Sequence, residues 1–589
     1  MPRSDSGCVR RTRFLVIGTF ALAARGIASA QSPGVKRRVR PTYPIAEHVV
    51  TTRRRTVVPD LTQWGFDSIY PYEVAKYHAS GYGTWRYGPG IDSVKRYDLM
   101  PATYTGADPA GGMAIQGPAP GNVARLLSFF TISDIHITDK ESPAQAIAFG
   151  YKGLISSAYS PVMLYTTHVL DAAVQTINAI HAQTPIDFGI SLGDAANNTQ
   201  YNELRWYIDV LDGNPIVPRS GRSVPEDPVP GPANDYQDPY QPAGLDPAIP
   251  WYQALGNHDH FWMGSIPVDA YLRQTYVGDA ILNLGNVLVD GTKSRGVYMG
   301  TIDGRTPYGN VIGVGPTSAF ATPPKVNAAD PNRRSLTRQE WIGEFFTTTS
   351  QPRGHGFAKS NVDGDFASYS FDPKPGLPLT MIVLDDTQSD GDTGTMGYGH
   401  GTLDERRYSW LVSQLDAGQA AGKLMIVAAH VPIGVEPAGS VVGWWSGAYV
   451  SEERLIAKLH EYPNLILWVA GHRHVNAITP FTSPQPDHPE LGFWQVETSS
   501  LRDFPQQFRT FQIVRNSDAT LSIFATGIDP AVAPGSLAAT SRGYAVAAQQ
   551  LFRNQLSTQP TGAANAELVI ALSAEMQRKL QQSGTPLRT

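Results

Sequence analysis

The sequence predicts an α/β protein whose sheet is largely parallel and whose loops are long. From Leu126 onward, short apolar runs typical of strands alternate with helical patterns, which is the order that βαβ units produce. Gly and Pro supply 56 and 46 of the 589 residues and only 17% of residues are charged, so long loops on a packed scaffold are expected. The 41% hydrophobic share is enough for a sizeable core and excludes a wholly disordered chain.

The predicted elements follow in a regular order. Apolar runs predict strands over 126–133, 187–192, 251–255, 380–384, 424–429 and 465–470. Apolar residues at helical spacing predict helices over 161–183, 404–417 and 452–461. Later apolar runs without long helices between them predict antiparallel strands over 493–497, 508–514 and 521–525.

Composition divides the chain into four regions. They are an export signal over 1–30, an irregular arm over 31–121, the α/β domain over 122–530, and a linker with a C-terminal helix over 531–589. The helical pattern of the last region covers 566–582. The arm is rich in Tyr, Pro and Gly, and its basic clusters are expected to be solvated.

Two insertions interrupt the α/β domain. Residues 213–250 hold ten prolines and cannot form a regular element. Residues 261–378 are predicted to contain a hairpin over 297–314 and a helix over 335–346. Insertions above a sheet usually shape access to a site.

The N-terminus has the three parts of an export signal. Arg10, Arg11 and Arg13 precede an apolar run over 14–24, which is too short to span a bilayer, and small residues at 28–30 provide a cleavage site. The Arg10-Arg11 pair resembles a twin-arginine signal, although the following Phe-Leu pair sits one residue late. The mature protein is therefore expected to be exported, either periplasmic or secreted.

Composition also limits the partners. Cys8 is the single cysteine, so neither a disulfide framework nor a thiolate metal site is expected. A formal charge of −5 argues against a dedicated nucleic-acid binder. No membrane span is expected after removal of the signal, and the sequence does not indicate an oligomeric state.

Five short motifs lie at or just after the ends of five predicted strands. They are Asp134-Ile135-His136, Gly193-Asp194 with Asn197, Gly256-Asn257-His258-Asp259, His430, and Gly471-His472-Arg473-His474. Because the carboxyl ends of strands form the ligand crevice of an open α/β sheet, these motifs are expected to converge.

The residue types in these motifs are those of a catalytic metal centre. Imidazoles, carboxylates and an amide oxygen without thiolates suit Mn, Fe or Zn. Seven donors are too many for one tetrahedral ion but suit two ions that share a carboxylate. Two cations about 3.5–4 Å apart can stabilise the attacking and leaving oxygens of a displacement and produce a hydroxide nucleophile. The motifs therefore predict a two-metal hydrolase.

The motif set resembles that of the calcineurin-like metallophosphoesterase superfamily, over about residues 126–528. The resemblance implies a four-layer αββα sandwich with two metal ions between mixed sheets. It assigns one ion to Asp134, His136, Asp194 and His474. It assigns the other to Asp194 as the bridge, Asn257, His430 and His472.

The resemblance also implies roles around the phosphate. His258 would contact the substrate phosphate and protonate the leaving oxygen, a role that suits a ring titrating near neutrality. Asp259 would orient His258, Asn257 would lie beside the substrate, and Asn197 would hydrogen-bond near His258. His136 and the absence of a tyrosine at position 197 differ from purple acid phosphatases, so no tyrosinate–iron colour is expected.

The expected reaction is phosphoester hydrolysis by hydroxide held on the metals. The substrate would be a small-molecule or lipid-derived phosphoester, with a slight preference for phosphodiesters. A phosphomonoesterase or an enzyme acting on pyrophosphate or phospholipid bonds are alternatives on the same core. A non-catalytic scaffold stabilised by metal is a further alternative, but such proteins typically lose ligands that this chain retains. Overall the chain resembles the exported bacterial members of the superfamily.

Six further residues are weaker candidates. Arg473 lies between two ligand histidines and could bind phosphate, although strand alternation could also point it away. The others are two loop histidines, a histidine in the first helix and a basic pair in the long insertion, for which packing or solvation is the simpler interpretation: His260, His355, His168, Arg333 and Arg334.

Overall fold

The computed structural model describes residues 52–60, 69–90, 95–99, 104–107, 113–115, 121–153, 155–221, 235–286, 296–392, 399–437, 439–440, 442–552 and 565–587. The strands of these residues are β1 (Arg55–Pro59), β2 (Trp85–Pro89), β3 (Lys95–Asp98), β4 (Tyr104–Ala107), β5 (Met113–Ile115), β6 (Asn122–Ile132), β7 (Phe188–Ser191), β8 (Trp251–Gln253), β9 (Phe261–Trp262), β10 (Ile266–Pro267), β11 (Val297–Asp303), β12 (Asn310–Pro316), β13 (Tyr369–Phe371), β14 (Leu379–Val383), β15 (Leu424–Ala428), β16 (Leu465–Ala470), β17 (Ala477–Phe481), β18 (Phe493–Glu497), β19 (Phe508–Asn516), β20 (Leu521–Ile528), β21 (Ala566–Ile570) and β22 (Thr585–Pro586).

The helices of the described residues lie mainly between the strands of the α/β core. They are α1 (Thr166–Gln183), α2 (Tyr201–Asp212), α3 (Ala270–Val277), α4 (Arg338–Glu344), α5 (Lys359–Gly364), α6 (Glu405–Ala420), α7 (Glu452–Leu459), α8 (Leu537–Phe552) and α9 (Ala574–Leu580). Side-chain caps fix the starts of several of them. The carboxylate of Asp404, for example, accepts a hydrogen bond from the backbone N–H of Arg407 at the start of α6. No helix of the described residues is long and apolar enough to cross a membrane.

One sheet has six strands in the order β13-β14-β15-β16-β18-β17. Its four central strands are parallel, and the edge strands β13 and β17 are antiparallel to their neighbours. Side chains alternate between its two faces. On β14, Met381 and Val383 join the largest core cluster, whereas Ile382 packs with residues of α6 and α7 such as Leu411 and Leu455. Helices α6 and α7 therefore cover one face of this sheet.

The other sheet follows the order β4-β5-β3-β21-β20-β19-β6-β7-β8, and β22 pairs with β6. Strands β6, β7 and β8 are parallel to one another. Strand β19 is antiparallel to β6 and to β20, which is antiparallel to β21. Helices α1 and α2 contribute buried apolar residues to the same core cluster as β6 and β7.

Aromatic side chains join the two sheets. Phe129 of β6 stacks on Phe188 of β7 and on Phe511 of β19, with ring centroids 5.0 and 4.7 Å apart. Phe188 then meets Phe371, in β13 of the six-stranded sheet, edge to face at 5.7 Å. Trp494 of β18 donates its indole N–H to the carbonyl of Val569 in the larger sheet. The arrangement is the predicted four-layer αββα sandwich of an α/β protein.

Three local predictions are wrong. Residues 566–570 form the buried strand β21, and the helix predicted over 566–582 is confined to α9. Helix α8 occupies part of the predicted linker. Strand β18 does not pair with β19 and β20 as predicted; it lies in the six-stranded sheet, parallel to β16 and antiparallel to the unpredicted strand β17. The errors at β18 and β21 concern strand pairing, which short apolar runs do not specify.

The structure also places elements in regions predicted to be irregular. Strands β1 and β2 form an antiparallel pair in the arm, and β3 pairs with β21 in the larger sheet. The insertion over 261–378 contains the predicted hairpin as β11 and β12 and the predicted helix as α4. Its end includes β13, which belongs to the six-stranded sheet. The export signal over 1–30 lies outside the described residues, so that prediction is not tested.

Candidate metal centre

The five motifs converge at one end of both sheets. The aspartate and histidine of the first motif follow β6, Asp194 follows β7, and the Asn257–Asp259 turn follows β8. His430 follows β15, and the 471–474 turn follows β16. Since β6, β7 and β8 are mutually parallel, as are β15 and β16, their carboxyl ends meet as the sequence predicts.

Five predicted metal ligands have left-handed backbone conformations. The φ angles are 50° for Asp134, 47° for His136, 53° for Asp194, 69° for His472 and 58° for His474. Such conformations are costly for non-glycine residues and cluster at functional sites. The strand ends therefore turn sharply, which aims the side chains of neighbouring residues into a common space.

The first group of donors combines Asp134, His136 and His474. Nε2 of His474 lies 3.3 Å from Oδ1 of Asp134 and 3.1 Å from Nε2 of His136. Metal–ligand bonds of about 2.0–2.2 Å place two donors of one ion about 3.0–3.5 Å apart. The third pair, Oδ1 of Asp134 and Nε2 of His136, is wider at 3.9 Å, so the three donors converge on one point but are not all at bonding spacing.

Asp194 lies between the two donor groups. Its Oδ2 is 3.7 Å from Nε2 of His136 in the first group and 3.4 Å from Nε2 of His430 in the second. Its Oδ1 accepts a hydrogen bond from the backbone N–H of His258. One carboxylate oxygen thus faces both groups, as a bridging ligand must.

The second group combines Asn257, His430 and His472. Oδ1 of Asn257 lies 2.8 Å from Nε2 of His430 and 3.1 Å from Nδ1 of His472. The amide nitrogen of Asn257 donates to the carbonyl of Gly264, which turns its oxygen toward the histidines. The two histidine nitrogens are 3.2 Å apart. All seven predicted ligands are therefore in the centre.

Hydrogen bonds fix the orientation of two of these rings. His430 donates from Nδ1 to the carbonyl of Leu192, and His474 bonds from Nδ1 to the carboxylate of Asp503 at 2.7 Å. In both rings Nε2 is left for a metal. Asp134 accepts hydrogen bonds at Oδ2 from the Ser133 hydroxyl and the backbone N–H of His472, which leaves Oδ1.

The chemistry of the centre fits bound cations. Oδ1 of Asp134, Nδ1 of His136 and Nε2 of His472 are buried without a hydrogen-bond partner. Buried polar atoms are normally satisfied, and a cation coordinated by Asp134 Oδ1 would satisfy that oxygen. Three sets of three side chains each bring their ligand atoms within 4.8 Å of one another: Asp134, His136 and His474; His136, Asp194 and His258; and Asp134, Asp194 and His430.

The protons of the metal-free centre lie on two histidines. Burial lowers the pKa of His430, but the carboxylate of Asp194 outweighs burial and raises it to about 10. Burial likewise opposes protonation of His474, and Asp134 and Asp503 raise its pKa to about 10. Burial raises the pKa of Asp194, but the neighbouring imidazoles reverse this and hold it well below its usual range. Cations entering the centre would therefore replace protons.

His258 stands beside the first group of ligands. Its ring meets that of His136 edge to face, with centroids 4.5 Å apart, and its Nδ1 lies 2.7 Å from the carbonyl of Asn197. Donation from Nδ1 to that carbonyl leaves Nε2 for substrate or metal. Burial lowers the pKa of His258. Asn197 is thus beside His258 as predicted, with its backbone making the contact.

Asp259 acts on His258 only through the backbone. Its carboxylate accepts hydrogen bonds from the backbone N–H groups of Asp194, Ala195, Ala196 and Gly256 at 2.9–3.1 Å. The imidazole of His258 bonds to Asn197 instead. The expectation that Asp259 orients the ring directly is therefore wrong, because four converging amides occupy its oxygens. Burial raises its pKa, and the charge of Asp194 adds to this.

The segment after β18 supplies contacts that the motifs do not reveal. The hydroxyl of Ser500 donates to the carbonyl of Asp134, and Asp503 bonds to His474. Arg502 donates from Nη1 to the side chain of Asn197 at 2.9 Å. The only sequence signal is a polar cluster that directly follows a strand, at residues 498–503.

The weaker candidates are held elsewhere. Arg473 points away from the ligands and pairs with Glu436 and Glu497, as strand alternation allows. His260 bonds to Thr387, and His355 bonds to Trp251 and Thr348.

The remaining three candidates are held by packing and pairing. His168 stacks on Tyr240, while Arg333 pairs with Asp139 and Arg334 lies over the ring of Tyr201. Packing of His168 and exposure of Arg334 agree with the simpler interpretation, whereas Arg333, His260 and His355 are buried and not solvated.

No family model matches the sequence, and no curated protein sequence matches it. Similar solved structures include a dimetal phosphatase from Danio rerio, at 11% identity and a TM-score of 0.36, which covers 69% of this chain and 97% of its own. GAP50, the anchor in the inner membrane complex of Plasmodium, aligns at 11% identity and a TM-score of 0.28, covering 69% of this chain and 85% of its own. At these TM-scores neither similarity bears on function.

Proposed function

We propose that this chain is an exported two-metal hydrolase of phosphoester bonds, with a preference for phosphodiesters. The single observation that carries the proposal is the position of Asp194, whose Oδ2 faces His136 on one side and His430 on the other. Two cations bound here would acidify water and neutralise charge on a phosphoryl group. The residues and spacing suit Mn, Fe or Zn, because every donor is nitrogen or oxygen.

The protein side chains would divide the remaining work. His258 is fixed by the Asn197 carbonyl through Nδ1, so its Nε2 is free to face the leaving oxygen. Because burial lowers the pKa of this ring, Nε2 would carry the proton for that oxygen only beside the negative charge of a bound phosphoryl group. Asp259 accepts hydrogen bonds from the backbone N–H groups of Asp194 and Gly256. It thereby fixes the turn that carries Asp194 relative to the turn that carries His258. The substrate would be a small-molecule or lipid-derived phosphoester, and neither nucleic acid nor a membrane span enters the proposal.

The decisive experiment compares hydrolysis of bis(p-nitrophenyl) phosphate and p-nitrophenyl phosphate by the mature protein reconstituted with Mn, Zn or Fe. Faster turnover of the diester is expected, with two metals bound per chain. The matched variant Asp194→Asn should lose metal and turnover of both substrates together. Faster monoester turnover would replace the diester preference with a phosphomonoesterase. Bound metals without turnover of either ester would contradict hydrolysis of such esters.

Export is tested separately. Cleavage after residue 30 should give a mature N-terminus at Gln31, which N-terminal sequencing of protein from the exported fraction would detect. An intact N-terminus on protein retained inside the cell would contradict export. Neither outcome alters the argument for the metal centre.

A further inference from the structure

Arg502 is a buried cation beside the metal centre without a neutralising partner. Its side chain is 1% exposed. Nη1 donates to Oδ1 of Asn197, whereas Nε and Nη2 have no hydrogen-bond partner. An unpaired buried charge is strongly unfavourable, so a guanidinium in this state is uncommon in a folded protein.

The nearby carboxylates are committed to other groups. Asp503, the next residue, bonds to His474. The two oxygens of Glu203 accept the backbone N–H groups of Asp139 and Asn198. Both acids stabilise the charge of Arg502 at a distance, but burial still lowers the pKa of the guanidinium. No carboxylate of the described residues forms an ion pair with Arg502.

Three other arginines of the described residues are paired with carboxylates. Arg333 bonds to Asp139, and Arg407 bonds to Asp385 and Asp404. Arg473, which the sequence made the obvious phosphate ligand, is paired with two glutamates. Arg502 differs from these three residues in having two N–H edges without an acceptor.

The position of Arg502 links it to the reacting end of the site. Asn197, its one side-chain partner, accepts the ring of His258 at its backbone carbonyl. The guanidinium therefore lies beside the residue that orients His258, and the next residue, Asp503, bonds to His474.

We propose that Arg502 is a substrate-binding residue whose Nε and Nη2 grip an oxygen of a tetrahedral oxyanion, the phosphoryl group of the substrate or free phosphate. This inference rests on the proposed function for the identity of the anion. The planar fork of arginine matches phosphate oxygens, and the anion neutralises the buried charge. A site built this way selects substrates that keep an unesterified phosphoryl oxygen facing Arg502.

The test measures binding of inorganic phosphate to the metal-loaded protein by titration calorimetry. Arg502→Met removes the donors with little change in volume. It is expected to weaken phosphate binding by about tenfold or more, because a charged hydrogen bond contributes about 1.5–3 kcal/mol. Metal content and the midpoint of thermal unfolding should stay close to those of the unaltered protein. Unchanged phosphate affinity in this variant would overturn the proposal.

The variant Asn197→Ala distinguishes anion binding from a purely structural clamp. It removes the side-chain partner of Arg502 but keeps the backbone carbonyl that holds His258. Phosphate affinity should fall by less than in Arg502→Met, because the guanidinium keeps its charge and its Nε and Nη2 donors when it loses the hydrogen bond to Asn197. A loss equal to that of Arg502→Met would show that Arg502 acts only through Asn197, which would overturn the proposal.

Two further measurements keep the outcome decisive. Should Arg502→Met fail to fold, Arg502→Lys keeps the charge without the fork, and an affinity equal to that of the unaltered protein would overturn the inference. Phosphate bound through Arg502 by a protein that hydrolyses no ester would support this inference and contradict the proposed function. If no metal binds, the same titrations on the metal-free protein decide the role of Arg502.

Discussion

At the scale of single residues, His258 is expected to act in proton transfer and not as a metal ligand. The ring is oriented by the Asn197 carbonyl and stands edge to face with the ligand His136. We predict that His258→Ala retains two metals but lowers turnover by at least about 10²-fold, the usual scale of lost acid catalysis. Metal analysis and steady-state rates on the same sample check this. Loss of one metal together with activity would instead make His258 a ligand.

His430 and His474 predict that metal affinity depends on pH. Their pKa values of about 10 mean that both rings are protonated in the metal-free protein at neutral pH. A metal must displace these protons, so affinity should rise with pH between 6 and 8, by up to about tenfold per pH unit for each proton displaced. Competition with a chelator at several pH values measures it. An affinity independent of pH would contradict these proton positions.

At the scale of elements, the segment after β18 supports the ligands of another strand end. The Asp503 carboxylate bonds to Nδ1 of His474. We predict that Asp503→Asn weakens metal affinity by about 10- to 100-fold, the usual effect of losing a carboxylate behind a histidine ligand. Chelator competition measures the effect, and Asp487→Asn, at an exposed position, is the matched control. Equal metal affinities in Asp503→Asn and Asp487→Asn would show that Asp503 does not support His474 as a ligand.

The close approach of β6 and β16 leaves space only for glycine at position 471. A Cβ there would lie 1.8 Å from the hydroxyl of Ser133 and 2.6 Å from Oδ2 of Asp134. We therefore predict that Gly471→Ala displaces Asp134 and reduces metal content well below two per chain. Elemental analysis checks this. Gly391→Ala is the control, because a Cβ there meets nothing within 4 Å, and a full metal content in both variants would contradict the prediction.

At the scale of the whole molecule, buried neutral histidines make stability depend on pH. His355 is fully buried on Trp251, and burial lowers its pKa to about 4 from an ordinary 6.5. Between these values the unfolded chain binds a proton that the folded protein does not. The contribution of His355 to the free energy of unfolding is therefore complete above about pH 6.5. It is lost as pH falls toward 4, by up to about 3 kcal/mol.

Urea unfolding at pH 7.5, 6, 5 and 4 measures this loss. The variant His355→Gln should show a flatter dependence of unfolding free energy on pH. His488→Gln, at an exposed position, should keep the dependence of the unaltered protein. An equally steep dependence in His355→Gln would assign the effect to other groups, of which His168, with a pKa lowered to about 3 by burial, is the next candidate.

The sequence by itself determined the strands of the α/β core and the seven donors at their ends. Both are local properties, since apolar runs define strands and each motif directly follows one of them. It did not determine β21, β17 or the parallel place of β18, because a short apolar run does not specify which strand it pairs with or in which direction.

Only the tertiary structure decided what surrounds the donors. In the folded protein Arg473 pairs with two glutamates, and Asp259 accepts hydrogen bonds from four backbone amides. Arg502 and Asp503 lie beside the centre. These outcomes depend on which groups meet once both sheets are packed together. A buried charge takes whichever partner lies within reach in the packed fold, and its neighbours along the chain do not fix that choice.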